Sequence, residues 1–401
     1  MSVVVCGGGV AGLEALMALR DLGEDRLELT LVAAAPEFTY RPLTVEEPFT
    51  LEPAERRALE PIAAELGARF VQGSLSRVLP EQHAIELSDR SSLGYDALVI
   101  CVGGRSRPAY RDAITFGAVG EPLQIDDLIE VSRGGRIAFV VPPGVTWPLP
   151  IYELAMMTER RARSTDHEAV TCVVVTPESA PLVMFGTQAS TAVAALLKAR
   201  GIELEIGVYA HESEDGGLVL SPGDRRLDAT RIVALPIIEG PGIAGLPTDE
   251  GGFIPIDEHA RVRGTKDVYA AGDGTNFPIK QGGLATQQAD AAAEHIAART
   301  GADVEPQPFR PVLRGKLLTG EESLKLRHDL VGGAGEGVAS DDYLWWPPHK
   351  VSGRYLAAWL AQEMPHEPEA PRRPLEIEVA MPHEWHKEPM ALDPYGPLGN
   401  S

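Results

Sequence analysis

Short apolar runs and helical apolar spacing alternate along most of the chain. Val3 to Val5 form an unbroken β-branched run, which predicts a buried strand beginning almost at the first residue. Leu13, Leu16, Met17 and Leu19 then recur at helical spacing, and Gly23 stands where that helix would stop. A second strand is predicted over Leu27 to Val32. Residues 67 to 105 read as a small antiparallel meander returning to a buried strand, YDALVIC, which ends in Val102, Gly103 and Gly104. From 109 to 244 the theme repeats, with an apolar strand from Gly135 to Val141, a helix around IYELA, a buried strand over Val170 to Glu178, and a helix-strand step. A late strand, Asp267 to Ala271, leads into Gly272 and Asp273, and the later run LATQQADAAAEHIAA is strongly helical.

The turn after the first strand reads Gly7-Gly8-Gly9-Val10-Ala11-Gly12. This is GxGxxG between a strand and a helix, the setting in which the motif has a mechanism. Gly7 permits the tight turn, Gly9 lets the backbone approach a pyrophosphate, and Gly12 lets helix and strand pack closely. The helix start adds free N–H groups and a positive dipole end. Strands alternating with helices predict parallel sheets. The expected fold class is α/β, with two Rossmann-like (doubly wound, three-layer) dinucleotide-binding domains plus a small C-terminal α+β region. Expected boundaries are 1–108 with 245–301, discontinuous, for the first domain and 109–244 for the second. Residues 302–361 form a C-terminal interface region, and 362–401 a proline-rich tail. One residue departs from the pattern. An acid should end the second strand and bind a ribose. Ala33 stands there, and Glu37, the nearest acid, comes four residues later. Ribose recognition is thereby left looser, or to backbone groups.

The order of motifs carries a resemblance. A leading GxGxxG, a YDxLVIxxG segment and a distal DVYAAGD resemble the two-domain flavoproteins of the pyridine nucleotide-disulfide oxidoreductase superfamily. Within it, FTYRPLTVEEPF (Phe38 to Phe49) is similar to the flavin-flanking segment of type II NADH dehydrogenases and sulfide:quinone oxidoreductases. The resemblance spans roughly residues 2 to 300 and implies FAD. It implies that Gly7, Gly9 and Gly12, with Val10 and Ala11 between them, hold the FAD pyrophosphate. It implies that Val71 meets the adenine through its backbone, and that Asp273 accepts a hydrogen bond from the ribityl chain or a nearby hydroxyl. Ala33, Arg41, Pro42, Val102 and Gly103 complete the expected cofactor-binding set on one side. Gly272, Gly283 and Leu284 complete it on the other. The helix near Gly283 would stabilise negative charge on reduced flavin through its dipole. Lys280, just ahead of it, is a candidate catalytic cation, with a solvated loop lysine as the alternative.

The second domain changes the expected chemistry. After its first strand come Pro142, Pro143, Gly144, Trp147, Pro148 and Pro150 where GxGxxG would bind NAD(P)H. Proline removes backbone donors, and Trp147 fills space that a pyrophosphate needs. Thr176 and Glu178 follow the next strand, where an adenosine ribose would be read, so NAD(P)H stays open as a cofactor. Glu153, in IYELA, is the other catalytic candidate. In related enzymes a glutamate here faces the flavin and can relay a proton; the alternative is a first-turn helical Glu favoured by the dipole.

Composition narrows the partners. The chain has 401 residues, 36 basic and 58 acidic, for a formal charge of −22. That balance argues against nucleic acid and against charge-driven docking on anionic membranes. No apolar run is long enough to span a bilayer, and no signal peptide is expected ahead of the first strand. A cytoplasmic location is expected. Cys6, Cys101 and Cys172 lie in apolar runs with no CxxC pair, which excludes a dithiol centre of neighbouring cysteines and fits buried thiols. No metal site is expected. Tyr355, Leu356, Trp359 and Leu360 share a helix face suited to core packing or a homodimer interface. Trp345 and Trp346 could line a flat-ring pocket. Two MPHE repeats, at Met364 and Met381, are too sparse for a metal site. The expected function is an FAD-dependent oxidoreductase passing two electrons through a non-covalent flavin to a quinone or other small acceptor, without a redox-active disulfide. The alternatives are an NAD(P)H dehydrogenase of a quinone or redox protein, and a flavin-binding regulatory protein without catalysis.

Overall fold

The computed structural model describes residues 1–49, 54, 56–117, 123–165, 170–214, 216–331 and 337–363. The repeats at Met364 and Met381 and nearly all of the proline-rich segment lie outside the described residues. The first half contains β1 (Ser2–Cys6), α1 (Val10–Gly23), β2 (Glu28–Ala33), β3 (Glu37–Thr39), β4 (Arg56–Ala58), α2 (Leu59–Glu65) and β5 (Arg69–Gln72). A meander of β6 (Leu75–Leu79), β7 (Ala84–Leu87) and β8 (Ser92–Gly94) leads to β9 (Ala97–Ile100) and the linking strand β10 (Arg105–Arg107). Next come β11 (Ile114–Thr115), α3 (Ile125–Val131), β12 (Arg136–Val140), α4 (Leu149–Ser164), β13 (Thr171–Val175), α5 (Thr187–Ala199) and β14 (Glu203–Glu205). A second meander, β15 (Tyr209–Glu212), β16 (Leu218–Ser221) and β17 (Arg225–Arg226), precedes β18 (Arg231–Ala234) and β19 (Ile237–Glu239). The chain closes with β20 (Val268–Ala270), α6 (Gly282–Ala298), β21 (Val312–Leu317), β22 (Leu324–Asp329), β23 (Val338–Ser340) and α7 (Leu356–Glu363).

Two five-stranded sheets organise these elements, in the orders β20-β9-β1-β2-β5 and β11-β18-β12-β13-β14, and every pairing within them is parallel. β10 pairs antiparallel with β19, so the two outgoing and returning strands tie the sheets together. Along β12, Ile137 and Phe139 enter one core with residues of α4 and α5, while Ala138 and Val140 enter another with Ala210, Leu218 and Leu220 of the meander. Both faces are therefore buried, which is why these strands are apolar throughout. The third layer is an antiparallel meander.

The C-terminal residues join both halves. Leu313, Leu317 and Leu326 of the β21-β22-β23 sheet pack into the second core, whereas Tyr355, Leu356, Trp359 and Leu360 pack into the first. The helix face expected to be buried is thus used within the chain. The fully buried Glu14 of α1 accepts hydrogen bonds from the N–H groups of Tyr355 (2.9 Å) and Leu356 (2.8 Å), which caps α7. No helix among the described residues is long and apolar enough to cross a membrane.

Candidate active site

Each strand of the first sheet delivers the residues just past its C-terminal end to one cavity of about 610 Å³. Gly7 follows β1, Ala34 follows β2, Gly73 and Ser74 follow β5, Cys101 and Val102 follow β9, and Gly272 and Asp273 follow β20. Open parallel sheets bind ligands at this edge, where the strand order reverses. Here the reversal lies between β1 and β9, on either side of Gly7. The three motif glycines do different things. A Cβ on Gly7 (φ +124°) would sit 2.1 Å from the Cys101 carbonyl oxygen, and one on Gly12 would sit 1.8 Å from that of Gly7. Both positions permit close packing of backbone. A Cβ on Gly9 meets nothing within 4 Å, so this residue holds open space in the cavity wall.

The cavity wall also contains Val10, Ala11, Ala33, Arg41, Pro42, Gly103 and Lys280. Gly12 lies behind the turn, and Val71 lies within β5, two residues before Gly73. Gly283 and Leu284 stand in the first turn of α6, where Gln281, Gly282 and Ala285 face the cavity instead. The Leu284 N–H donates to Oε1 of Gln281 at 2.8 Å, and its side chain is buried in the second core. Asp273 receives no hydrogen bond among the described residues; burial pushes its carboxyl up against the pull of Lys280 and Arg41. Lys280 donates to the carbonyls of Thr275 (2.5 Å) and Phe277 (2.9 Å), and its ammonium lies 3.7 Å from the Phe253 ring centroid. Burial lowers it to about 8, opposed by Asp273 and Asp249.

Glu153 meets the cavity through a partner from the far end of the chain. It is fully buried on α4 and accepts from Lys350 Nζ at 2.6 Å and from the Leu318 N–H at 2.9 Å. Burial raises its carboxyl, with the Lys350 charge pulling it back down. Lys350 itself is in the cavity wall. Phe116, Trp147, Leu149 and Pro150 from the second half line the same space. Cys6 and Cys101 also line it, and all three cysteines are free and buried. Burial pushes the Cys101 thiol up to about 12 and that of Cys6 beyond the ordinary range, so both stay protonated. Among the described residues, no group of three or more His, Cys, Asp or Glu side chains could hold a metal ion.

The family pattern of the pyridine nucleotide-disulphide oxidoreductases matches residues 1–135 and 152–295. The chain belongs to this family. An NADH dehydrogenase-like protein of Mycobacterium tuberculosis is 26% identical over 292 residues, covering 68% of this chain and 72% of that protein. The ferredoxin reductase component of a chlorobenzene dioxygenase from a Cupriavidus species is 27% identical over 320 residues, covering 75% and 74%. The sulfide:quinone oxidoreductase of Aquifex aeolicus shares the fold, with a TM-score of 0.76 at 19% identity over 84% of this chain and 86% of that one. As a member of this family the protein is an FAD-dependent oxidoreductase. Its cavity suits that cofactor: two glycines that no larger residue could replace, a third holding space open, and a carboxylate with no hydrogen-bond donor among the described residues.

The family match skips residues 136–151, which are β12, the turn after it and the first residues of α4. In that turn Pro148 and Pro150 occupy the helix start and supply no N–H, while the Ile151 N–H is spent on the Pro148 carbonyl at 3.0 Å. Trp147 packs against Phe185 with ring centroids 5.8 Å apart. Glu178, past the end of β13, is engaged by the Tyr152 hydroxyl at 2.6 Å and the Thr176 hydroxyl at 3.0 Å. Burial raises its carboxyl.

Proposed function

We propose that this oxidoreductase passes two electrons through a non-covalently held flavin to a quinone or another small acceptor, without a redox-active disulfide. The observation that carries the proposal is Lys350, an ammonium in the cavity wall backed by the buried carboxylate of Glu153. Reduction of a quinone consumes two protons with two electrons, and this pair is a proton-holding group at the wall. FAD supplies the two-electron chemistry when bound. Gly7 and Gly9 admit the pyrophosphate, Gly12 keeps α1 tight against the turn, and Asp273 accepts from a sugar-chain hydroxyl. Lys280 and the start of α6 set positive potential along one wall. Glu153 orients Lys350 through their 2.6 Å ion pair.

A second cavity, of about 390 Å³, shares no lining residue with the first and is not the space that Lys350 and Glu153 serve. It lies between α6 and the C-terminal region, with Trp345, Trp346 and Phe309 as aromatic walls and Gln287, Arg314 and Asp290 as polar edge. Asp290 Oδ1 is buried there without a hydrogen-bond partner. The other reading, an NAD(P)H dehydrogenase, draws on the mycobacterial relative and on the strand-end position of Glu178. The proline turn and the engagement of Glu178 by Tyr152 weigh against it.

Anaerobic stopped-flow absorbance separates the two. Photoreduced protein mixed with a short-chain quinone is expected to regain its oxidised flavin band within seconds, and NADH or NADPH to bleach the oxidised protein slowly. No reoxidation by quinone would remove quinone as the acceptor, and no reoxidation by any small acceptor would overturn the proposal. Rapid bleaching by either nicotinamide would install the dehydrogenase reading.

A further inference from the structure

We infer that Glu37 reads the adenosine ribose of the cofactor, in place of the acid that Ala33 displaces; the inference rests on FAD occupying the first cavity. Ala33, Ala34 and Ala35 line that end of the cavity and offer no polar side chain. Glu37 and Asp273 are the two acids lining the cavity among the described residues. They serve opposite ends. Asp273 follows β20, at one edge of the sheet, and β2 is three strand spacings away, about 14 Å. The ribose of a nucleotide whose pyrophosphate lies at the β1 turn falls beside the end of β2.

Glu37 is built into place. β3 pairs with β4 in the register Glu37 to Ala58, and the Leu59 N–H holds the Pro36 carbonyl at 2.8 Å. Strand alternation sends Phe38, 2% exposed, into the core. Glu37 and Thr39, on the opposite face, both line the cavity. The Glu37 carboxylate has no hydrogen-bond or ion-pair partner among the described residues, so both oxygens are available to accept from a vicinal diol. Such charge-assisted bonds are stronger than neutral ones, and a four-residue offset along the chain delivers them from the neighbouring strand.

The test uses the apo-protein and two dinucleotides, FAD and its 2′-deoxyadenosine counterpart, with dissociation constants from flavin fluorescence quenching. The wild type is expected to prefer FAD by about tenfold. Glu37→Ala should lose that preference while keeping the wild-type melting temperature and flavin absorbance band, and Glu37→Gln should retain part of it. A Glu37→Ala protein with the wild-type preference would overturn the inference and leave FAD in place. A wild type that takes up neither dinucleotide would overturn the inference together with the cofactor assignment beneath it.

Discussion

The two parallel sheets start from the same plan and diverge at one turn. β1 runs into Gly7-Gly8-Gly9 and α1; β12 runs into Pro142-Pro143-Gly144 and, past Trp147, into α4. The strand, helix and core are equivalent in kind. What differs is which backbone donors face the sheet edge. After β1 the chain leaves a helix start bare beside an open cavity. After β12 it removes N–H groups with proline and covers the edge with Trp147 against Phe185. The comparison teaches that one strand-turn-helix plan can carry two very different turns, because packing and backbone donors use different atoms of the turn.

The largest expected effect breaks the first turn. Gly12→Val should destabilise the protein by about 3 kcal/mol or more, since its Cβ has backbone at 1.8 Å and nowhere to go. Gly9→Val should fold with nearly the wild-type denaturation midpoint yet purify colourless, because its side chain enters space that the flavin pyrophosphate takes. Denaturant titration and the visible spectrum check the pair. A yellow Gly9→Val protein would remove the pyrophosphate from this turn.

Next in size is the pair that reaches the first cavity from the second half. Lys350→Met leaves Glu153 buried with no counter-charge, at an expected cost of about 3–5 kcal/mol near neutral pH. The pH dependence has a definite sign. A carboxyl raised in the folded state contributes stability that is full below its unfolded value, about 4.3, and is lost as pH rises through the folded value. Removing Lys350 raises the folded value further, so the deficit should shrink as pH falls toward 4 and widen as it rises. Thermal melts of both proteins between pH 4 and 8 measure this, and a deficit that stays constant across the range would separate Lys350 from the Glu153 charge.

How much of this was legible along the chain follows from distance in sequence. The glycine turn could be read because its sterics are local: strand, turn and helix lie within 22 residues of one another. The proline turn was legible for the same reason. Glu153 could be singled out, but not its partner, since Lys350 lies 197 residues away in a segment with no apolar period. Gln281 carries no cap signal in the sequence, because glutamine is not among the usual helix caps, although its side chain accepts from the Leu284 N–H. The meander over β15 to β17 leaves little pattern along the chain, since its strands are two to four residues long and one is made of two arginines. Glu178, with Thr176, stands after β13 where an adenosine ribose would be read, which keeps NAD(P)H open along the sequence. Nothing local showed that Tyr152, on the helix before it, already holds the carboxylate.

That last residue gives the finest test of the comparison. Glu178→Ala strips the acceptor from the hydroxyls of Tyr152 and Thr176, both fully buried, and should cost about 1–3 kcal/mol of stability. If the second sheet edge is closed to nucleotides, this variant should show the same slow bleaching by NADH and NADPH as the wild type. If Glu178 instead turns outward to grip a ribose, the apparent Kd for the nicotinamide nucleotide should rise about tenfold or more, because a site that hydrogen-bonds a hydroxyl loses heavily when the partner is removed. The melting curve and the bleaching rate move independently. A stability loss with unchanged bleaching assigns Glu178 to the packing of α4 on β13, and leaves the turn after β1 as the nucleotide-binding member of the pair.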